Sequence, residues 1–285
     1  MGSPTWSVLK SAVTSASGQI STTVWPSRNH QFRLVFSGWS SAYPAASQVR
    51  DVFVRQAATV TRTSSTSVDA GDPVTLSGVT SLALAGRPAT LQIKSGSTWK
   101  SIVGGKVSAA KTFSLSTKAT GRGNQYYRVV VTGTPSASGA ISATKTFAVY
   151  AWYSLDTTFS DGWRALVPQD YWRVAGVNYT KVLGAWDTQS SWRQYTLAGK
   201  CRTFKSTIGM KDGSSEGAQF DASIDQRYVD FGTLEPGQSR KIAASVSSAD
   251  YLIFGTSPRY FDEMRGIYPA YAGATVSCLS QPGYM

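Results

Sequence analysis

The sequence predicts an all-β protein assembled from β-sandwiches. Three observations carry that reading. Ser, Thr, Val, Gly, Tyr and Trp are abundant while Leu, Glu and Met are scarce, a balance that favours strands over helices. Many windows alternate apolar and polar residues with period two between Gly, Pro, Ser or Asn, and few show a helical repeat. Val129-Val130-Val131 and the run from Ile141 to Tyr150 are examples. The third observation is an internal repeat in the first half of the chain.

Composition sets the outer bounds. The chain has 285 residues, enough for two or three domains, with 41% hydrophobic and 12% aromatic residues. That excludes a disordered basic tail. No apolar run is long enough for a spanning helix, so no membrane span is expected. Met1 to Pro4 lead straight into patterned sequence, so no leader peptide is expected there. His30, the single histidine, rules out a multi-His metal site. The formal net charge is +12. It divides unevenly: residues 1–57 carry +4, residues 58–150 carry +8 and residues 151–285 are neutral. No nucleic-acid motif accompanies the charge, so no nucleic-acid partner is expected.

The repeat aligns Thr5–Val54 with Thr98–Val149. Trp6-Ser7-Val8-Leu9 matches Trp99-Lys100-Ser101-Ile102, and Arg28 to Val35 matches Gly123 to Val130. Val49–Val54 matches Thr144–Val149 as a closing strand. In the aromatic-Arg-Val-Val stretch, an aromatic and branched residues fill a core face while Arg33 or Arg128 points outward. His30 aligns with Gln125 and reads as a polar strand-edge residue. The second copy has an earlier half, Val74 to Gly78 and Arg87 to Ile93, that nothing before Trp6 matches. Pro88 suits a strand start. Residues 1–57 therefore read as a partial sandwich. Either the chain is a piece of a longer protein whose upstream domain completes it, or a partner strand does.

Ala85 to Gln92, Trp99 to Ile102 and Tyr127 to Val131 make residues 58–150 resemble the bacterial immunoglobulin-like repeats of actinobacterial secreted proteins. The resemblance implies spacers that hold another module away from a surface. The gap between strands at Gly121-Arg122-Gly123 reads as a hairpin turn.

Residues 151–285 differ: acidic residues rise and aromatics cluster. About eight strands are expected, over Tyr179–Leu183, Arg193–Leu197, Arg202–Ile208, Ala218–Ile224, Gln226–Phe231, Arg240–Val246, Tyr251–Phe254 and Ala274–Cys278, which suits a jelly-roll sandwich. Val177 to Trp186, Tyr195 to Asp212 and Pro269 to Val276 resemble, in order and spacing, three stretches of the novel putative carbohydrate-binding module family. Trp186 stands where that family has His. The resemblance implies a galactose-binding-like jelly roll that docks sugars through loops at one end.

Sugar binding needs flat aromatic faces and a few polar groups. The candidate ligand residues are Trp186, Asp187 and Trp192 in one expected loop, and Tyr260, Phe261, Asp262 and Arg265 in another. Trp152-Tyr153 and Tyr171-Trp172-Arg173 read as packing residues. Cys201 and Cys278 read as a disulfide pair, with two buried thiols as the alternative. No cofactor is expected. Asp212-Gly213-Ser214 is a candidate turn for a structural Ca²⁺. Asp212 with Glu216 and Asp262 with Glu263 are the carboxylate pairs a hydrolase would need, and turn formation is the simpler role for them. No catalytic residue is expected.

The expectation is a non-catalytic carbohydrate-binding module on immunoglobulin-like spacers, in a secreted or cell-surface bacterial protein. Its partner would be a glycan or cell-wall polysaccharide. The alternatives are a structural or adhesion protein whose jelly roll makes protein contacts, as in a surface assembly or phage fibre, and the accessory region of a larger glycoside hydrolase.

Overall fold

The computed structural model describes residues 5–156, 166–185, 190–258 and 266–284. The fold is all-β; among the described residues the helical element is one 3₁₀ turn, Leu82–Leu84. The first stretch holds four short strands: β1 (His30–Phe32), β2 (Val35–Phe36), β3 (Ala45–Ala46) and β4 (Arg50–Val52). β1 pairs with β4 and β2 with β3, both antiparallel.

The middle stretch holds β5 (Ala58–Thr63), β6 (Ser67–Asp69), β7 (Pro73–Thr80), β8 (Pro88–Ser95), β9 (Thr98–Lys106), β10 (Thr112–Lys118), β11 (Gly123–Val131), β12 (Ala140–Ile141) and β13 (Lys145–Ser154). Two sheets, β5-β7-β10 and β9-β8-β11-β13, form a sandwich. Alternation explains the core. Val74 and Leu76 of β7, Leu91 of β8, Tyr127 and Val129 of β11 and Phe147 and Val149 of β13 all turn inward and share one apolar cluster. Each such side chain, fully buried, stabilises by roughly 1.5–3 kcal/mol. Two expectations need adjustment. Ile141 and Tyr150 fall in separate strands, β12 and β13, because Ser142 bonds the Val129 backbone and breaks the run. The Gly121–Gly123 turn crosses between sheets instead of closing a hairpin, since β10 pairs with β7 and β11 with β8 and β13.

The last stretch holds β14 (Val167–Gln169), β15 (Trp172–Val174), β16 (Val177–Tyr179), β17 (Val182–Gly184), β18 (Ser191–Thr196), β19 (Cys201–Met210), β20 (Ala218–Ile224), β21 (Arg227–Leu234), β22 (Ser239–Ser245), β23 (Tyr251–Pro258), β24 (Pro269–Cys278) and β25 (Gly283–Tyr284). One sheet centres on β24, flanked by β19 along its length and by β17 and β13 at its two ends. The facing sheet runs β21-β20-β23-β18-β25. Phe204, Ile208, Phe220, Phe254, Tyr271 and Val276 fill the space between them. This is the expected jelly-roll sandwich. The single strand expected over Tyr179–Leu183 is two strands, β16 and β17, in different pairings. Trp172 packs under β17, where a Cβ on Gly184 would stand 2.4 Å from its ring. Only a glycine leaves room for that indole.

Cys201 and Cys278 lie opposite each other on β19 and β24, with Cα atoms 4.0 Å apart, and form the disulfide. The thiol alternative is thereby set aside. β13 crosses from one sandwich to the other: Lys145–Val149 pair with β11, and Ala151–Ser154 with β24. Beside it, Arg202 bonds Asp69 at 2.5 Å and lies 4.5 Å from the Tyr150 ring.

Candidate functional site

Of the seven predicted ligand residues, Trp192 is the one the structure describes. Trp186, Asp187, Tyr260, Phe261, Asp262 and Arg265 lie outside the described residues. Trp192 belongs to strand β18, not to a loop. Ser191, Arg193 and Tyr195 point into the sandwich, so alternation turns Trp192 to the outer face, where it is 51% exposed.

Register then decides what stands beside it. Trp192 is opposite Gly255 of β23, Gly255 is opposite Asp221 of β20, and Asp221 is opposite Asp230 of β21. An aromatic, a bare backbone and two carboxylates thus form one row across four strands. The row is close-set. A Cβ placed on Gly255 would lie 3.4 Å from the Trp192 Cβ and 3.5 Å from Asp221 Oδ1. Any side chain at position 255 would therefore stand between the indole and the carboxylate.

Polar neighbours hold the carboxylates in place. Gln219 donates to Asp230 and accepts from the Thr233 hydroxyl at 2.7 Å. The Gly232 N–H donates to Asp230 at 2.6 Å. Burial raises the Asp221 pKa from its ordinary value, a hydrogen bond from Tyr228 opposes the rise, and the Asp230 charge adds to it. Tyr228 itself is exposed on the same face.

The row is also pinned from inside. Tyr271, fully buried on β24, donates its hydroxyl to the backbone oxygens of Asp221 and Gly255, at 2.8 and 2.7 Å. A β-bulge lies at this point, where β20 and β21 slip register between Phe220 and Asp221. Bulges re-aim side chains. Here the inner tyrosine and the outer carboxylate meet at the same peptide.

Trp192 carries no covering cation among the described residues. Several other surface aromatics do: Arg128 lies over Trp99 at 4.1 Å, Arg33 over Trp6 at 4.1 Å and Lys205 over Trp152 at 4.5 Å. A ring already holding a cation offers less free face to a ligand.

The remaining predicted groups are placed as follows. Trp172 is buried against Val174 and Val182, a packing role. Tyr153 is buried, while Trp152 is partly exposed beneath Lys205. Asp212 pairs with Arg173 at 3.3 Å and accepts the Gly176 N–H at 3.2 Å, so its carboxylate already serves the turn. Among the described residues no group of three or more metal-ligating side chains is gathered. Asp262 and Glu263 lie outside the described residues.

Asp221, Gly255, Tyr228 and Asp230 were not among the predicted site residues. Their alternation was legible: Gln219, Asp221 and Ser223 interleave with Ala218, Phe220, Ala222 and Ile224. What one sequence lacks is the cross-strand register that sets Asp221 beside Gly255 and Trp192.

No protein-family model matches the sequence. No curated protein matches it. Among solved structures, the chain is similar to CBM51-2 in complex with GlcNAc and INT domains from Clostridium perfringens ZmpB, with 13% identity and a TM-score of 0.38, covering 67% of this chain and 41% of that one. It is also similar to the secreted serine protease VesC from Vibrio cholerae, with 8% identity and a TM-score of 0.31, covering 77% and 49%. A third is a cycloalternan-degrading enzyme from Trueperella pyogenes, with 7% identity and a TM-score of 0.23, covering 71% and 31%. The chain spans less than half the length of each. With scores this low, the site rests on the chain's own geometry.

Proposed function

We propose that this protein binds carbohydrate without cleaving it, through the outer face of the β20-β23-β18 sheet. The observation that carries this is the exposed Trp192 ring, free of a covering cation among the described residues, beside the bare Gly255 backbone and the Asp221 carboxylate. A pyranose presents an apolar face of C–H groups and an equatorial rim of hydroxyls. Trp192 supplies a stacking surface for the first, and the Asp221 and Asp230 carboxylates and the Tyr228 hydroxyl oxygen supply acceptors for the second. The platform is rigid because Tyr271 fixes the strands beneath it. The resemblance of Val177–Val276 to the novel putative carbohydrate-binding module family points the same way.

Residues 151–285 would be the binding module, with residues 58–150 and the partial repeat of residues 1–57 as spacers. The basic spacers would lie against anionic cell-wall polymers, an attraction that salt weakens. A disulfide fits an oxidising, extracellular location. A glycan array and affinity gels loaded with polysaccharides test the reading. Retention of the whole chain by one glycan class, lost in Trp192→Ala, is the expected result. Equal mobility of both proteins in every gel would refute it.

A further inference from the structure

The two copies of the repeat share more than sequence. His30↔Val52, Gln31↔Asp51 and Phe32↔Arg50 pair across β1 and β4. Gln125↔Phe147, Tyr126↔Thr146 and Tyr127↔Lys145 pair across β11 and β13. Each residue lies 95 positions after its counterpart. The same shift relates Val35↔Ala46 to Val130↔Ile141 and Trp39↔Ala42 to Thr134↔Ala137. Side chains follow. Ser47 bonds the Leu34 N–H at 2.9 Å, as Ser142 bonds that of Val129 at 2.9 Å. Arg33 lies over Trp6 as Arg128 lies over Trp99, both at 4.1 Å.

Burial is where the copies part. In the second copy Tyr127, Val129, Phe147 and Val149 are fully buried, beneath Val74 and Leu76 of β7 and Phe113 and Leu115 of β10, with Leu91 of β8 beside them in their own sheet. In the first copy the aligned Leu34 and Val52 are 48% and 37% exposed, and Phe32, Phe36 and Val54 are only half-buried. The second copy therefore shows what the first copy's open face is shaped to receive.

We infer that the apolar face of residues 30–54 is a docking surface for a β-segment with the chemistry of residues 58–95. That segment would be a polypeptide of alternating Val, Leu and Ala whose strands lie over Phe32, Leu34, Phe36 and Val52 and pair with the free edge of β1 and β2. β8 does this for β11, from Val131↔Ala89 to Tyr127↔Ile93. Strand addition supplies backbone hydrogen bonds, and the alternating apolar residues supply specificity. Closing the face also removes an open edge, which folded proteins otherwise protect.

The test adds a synthetic peptide of residues 58–97 to the full chain and follows amide hydrogen exchange. Roughly 100-fold slower exchange at residues 30–36 and 50–54 is expected on peptide addition. In Leu34→Asp that protection should vanish. Position 34 is exposed without the peptide, so this substitution leaves the chain folded, and unchanged exchange in the middle sandwich verifies that. Unaltered exchange at residues 30–54 at saturating peptide overturns the inference. So does protection that appears without peptide and rises with protein concentration, which would make a second copy of the chain the occupant.

Discussion

The middle and C-terminal sandwiches both have closed apolar interiors and both set cations over surface aromatics, yet on the second the exposed Trp192 has no cation over it among the described residues. On the middle sandwich, Arg128 lies over Trp99 and Lys94 lies 5.8 Å from Tyr126, so cations lean on the rings. The Gln92 side chain holds Arg128 there by accepting from its Nε at 2.9 Å. On the C-terminal sandwich, Trp192 has a glycine and a carboxylate beside it. The lesson is that exposure alone does not mark a site. What its neighbours leave free decides which aromatic can take a ligand. Charge follows the same division, with +8 on residues 58–150 and none net on residues 151–285.

The largest expected effect separates the two sandwiches by stability. Cys201→Ser opens a disulfide that closes a separation of 77 residues. In the chain-entropy view this costs about 4 kcal/mol, and it falls on the C-terminal sandwich alone. Urea unfolding should show one transition moving and the middle sandwich's transition staying in place. Movement of both together would mean that the β13 junction couples them.

Tyr271→Phe removes the hydroxyl that serves the Asp221 and Gly255 backbones and leaves buried acceptors unpaired. The expected loss is about 1–3 kcal/mol of stability, with a weaker hold on any glycan bound outside. Gly255→Val inserts a side chain between Trp192 and Asp221, with its Cβ 3.1 Å from the Ser191 oxygen. Glycan affinity should fall about tenfold by titration calorimetry, and an unchanged affinity would remove Gly255 from the site.

The smallest effect is electrostatic. Burial raises the Asp221 pKa, so its ionised form is less stable in the folded protein than in the unfolded chain. Above the unfolded pKa, ionisation therefore costs stability, and the cost disappears as pH falls through the raised folded value. Asp221→Asn should melt at the same temperature or slightly higher at neutral pH. Glycan binding through the carboxylate should weaken on acidification at a higher pH than an ordinary aspartate would dictate. A pH-independent affinity would exclude Asp221 as a ligand contact.

Much of the fold was legible because alternation reports which side chains turn inward. Ala218–Ile224 was read at its true bounds, and Cys201 and Cys278 were expected on neighbouring strands. The repeat was visible as matched residues, and the structure shows the matched pairs in one register. The site was legible only through Trp192. Asp221 lies 29 positions away and Gly255 lies 63 away, and they reach it by antiparallel pairing that a single sequence does not encode locally. From sequence alone Trp192 falls in a loop because the expected strand begins at Arg193, whereas β18 begins at Ser191, which pairs with Thr256 of β23.

The most direct measurement is calorimetric titration of the retained glycan into three proteins: the unaltered chain, Trp192→Ala and Trp99→Ala. Glycan-stacked tryptophans behave as interface hot spots, so Trp192→Ala should lose about 2 kcal/mol, roughly 30-fold in affinity, while Trp99→Ala binds as the unaltered chain does. Equal affinity in all three, or loss in Trp99→Ala alone, would contradict the assignment of binding to Trp192.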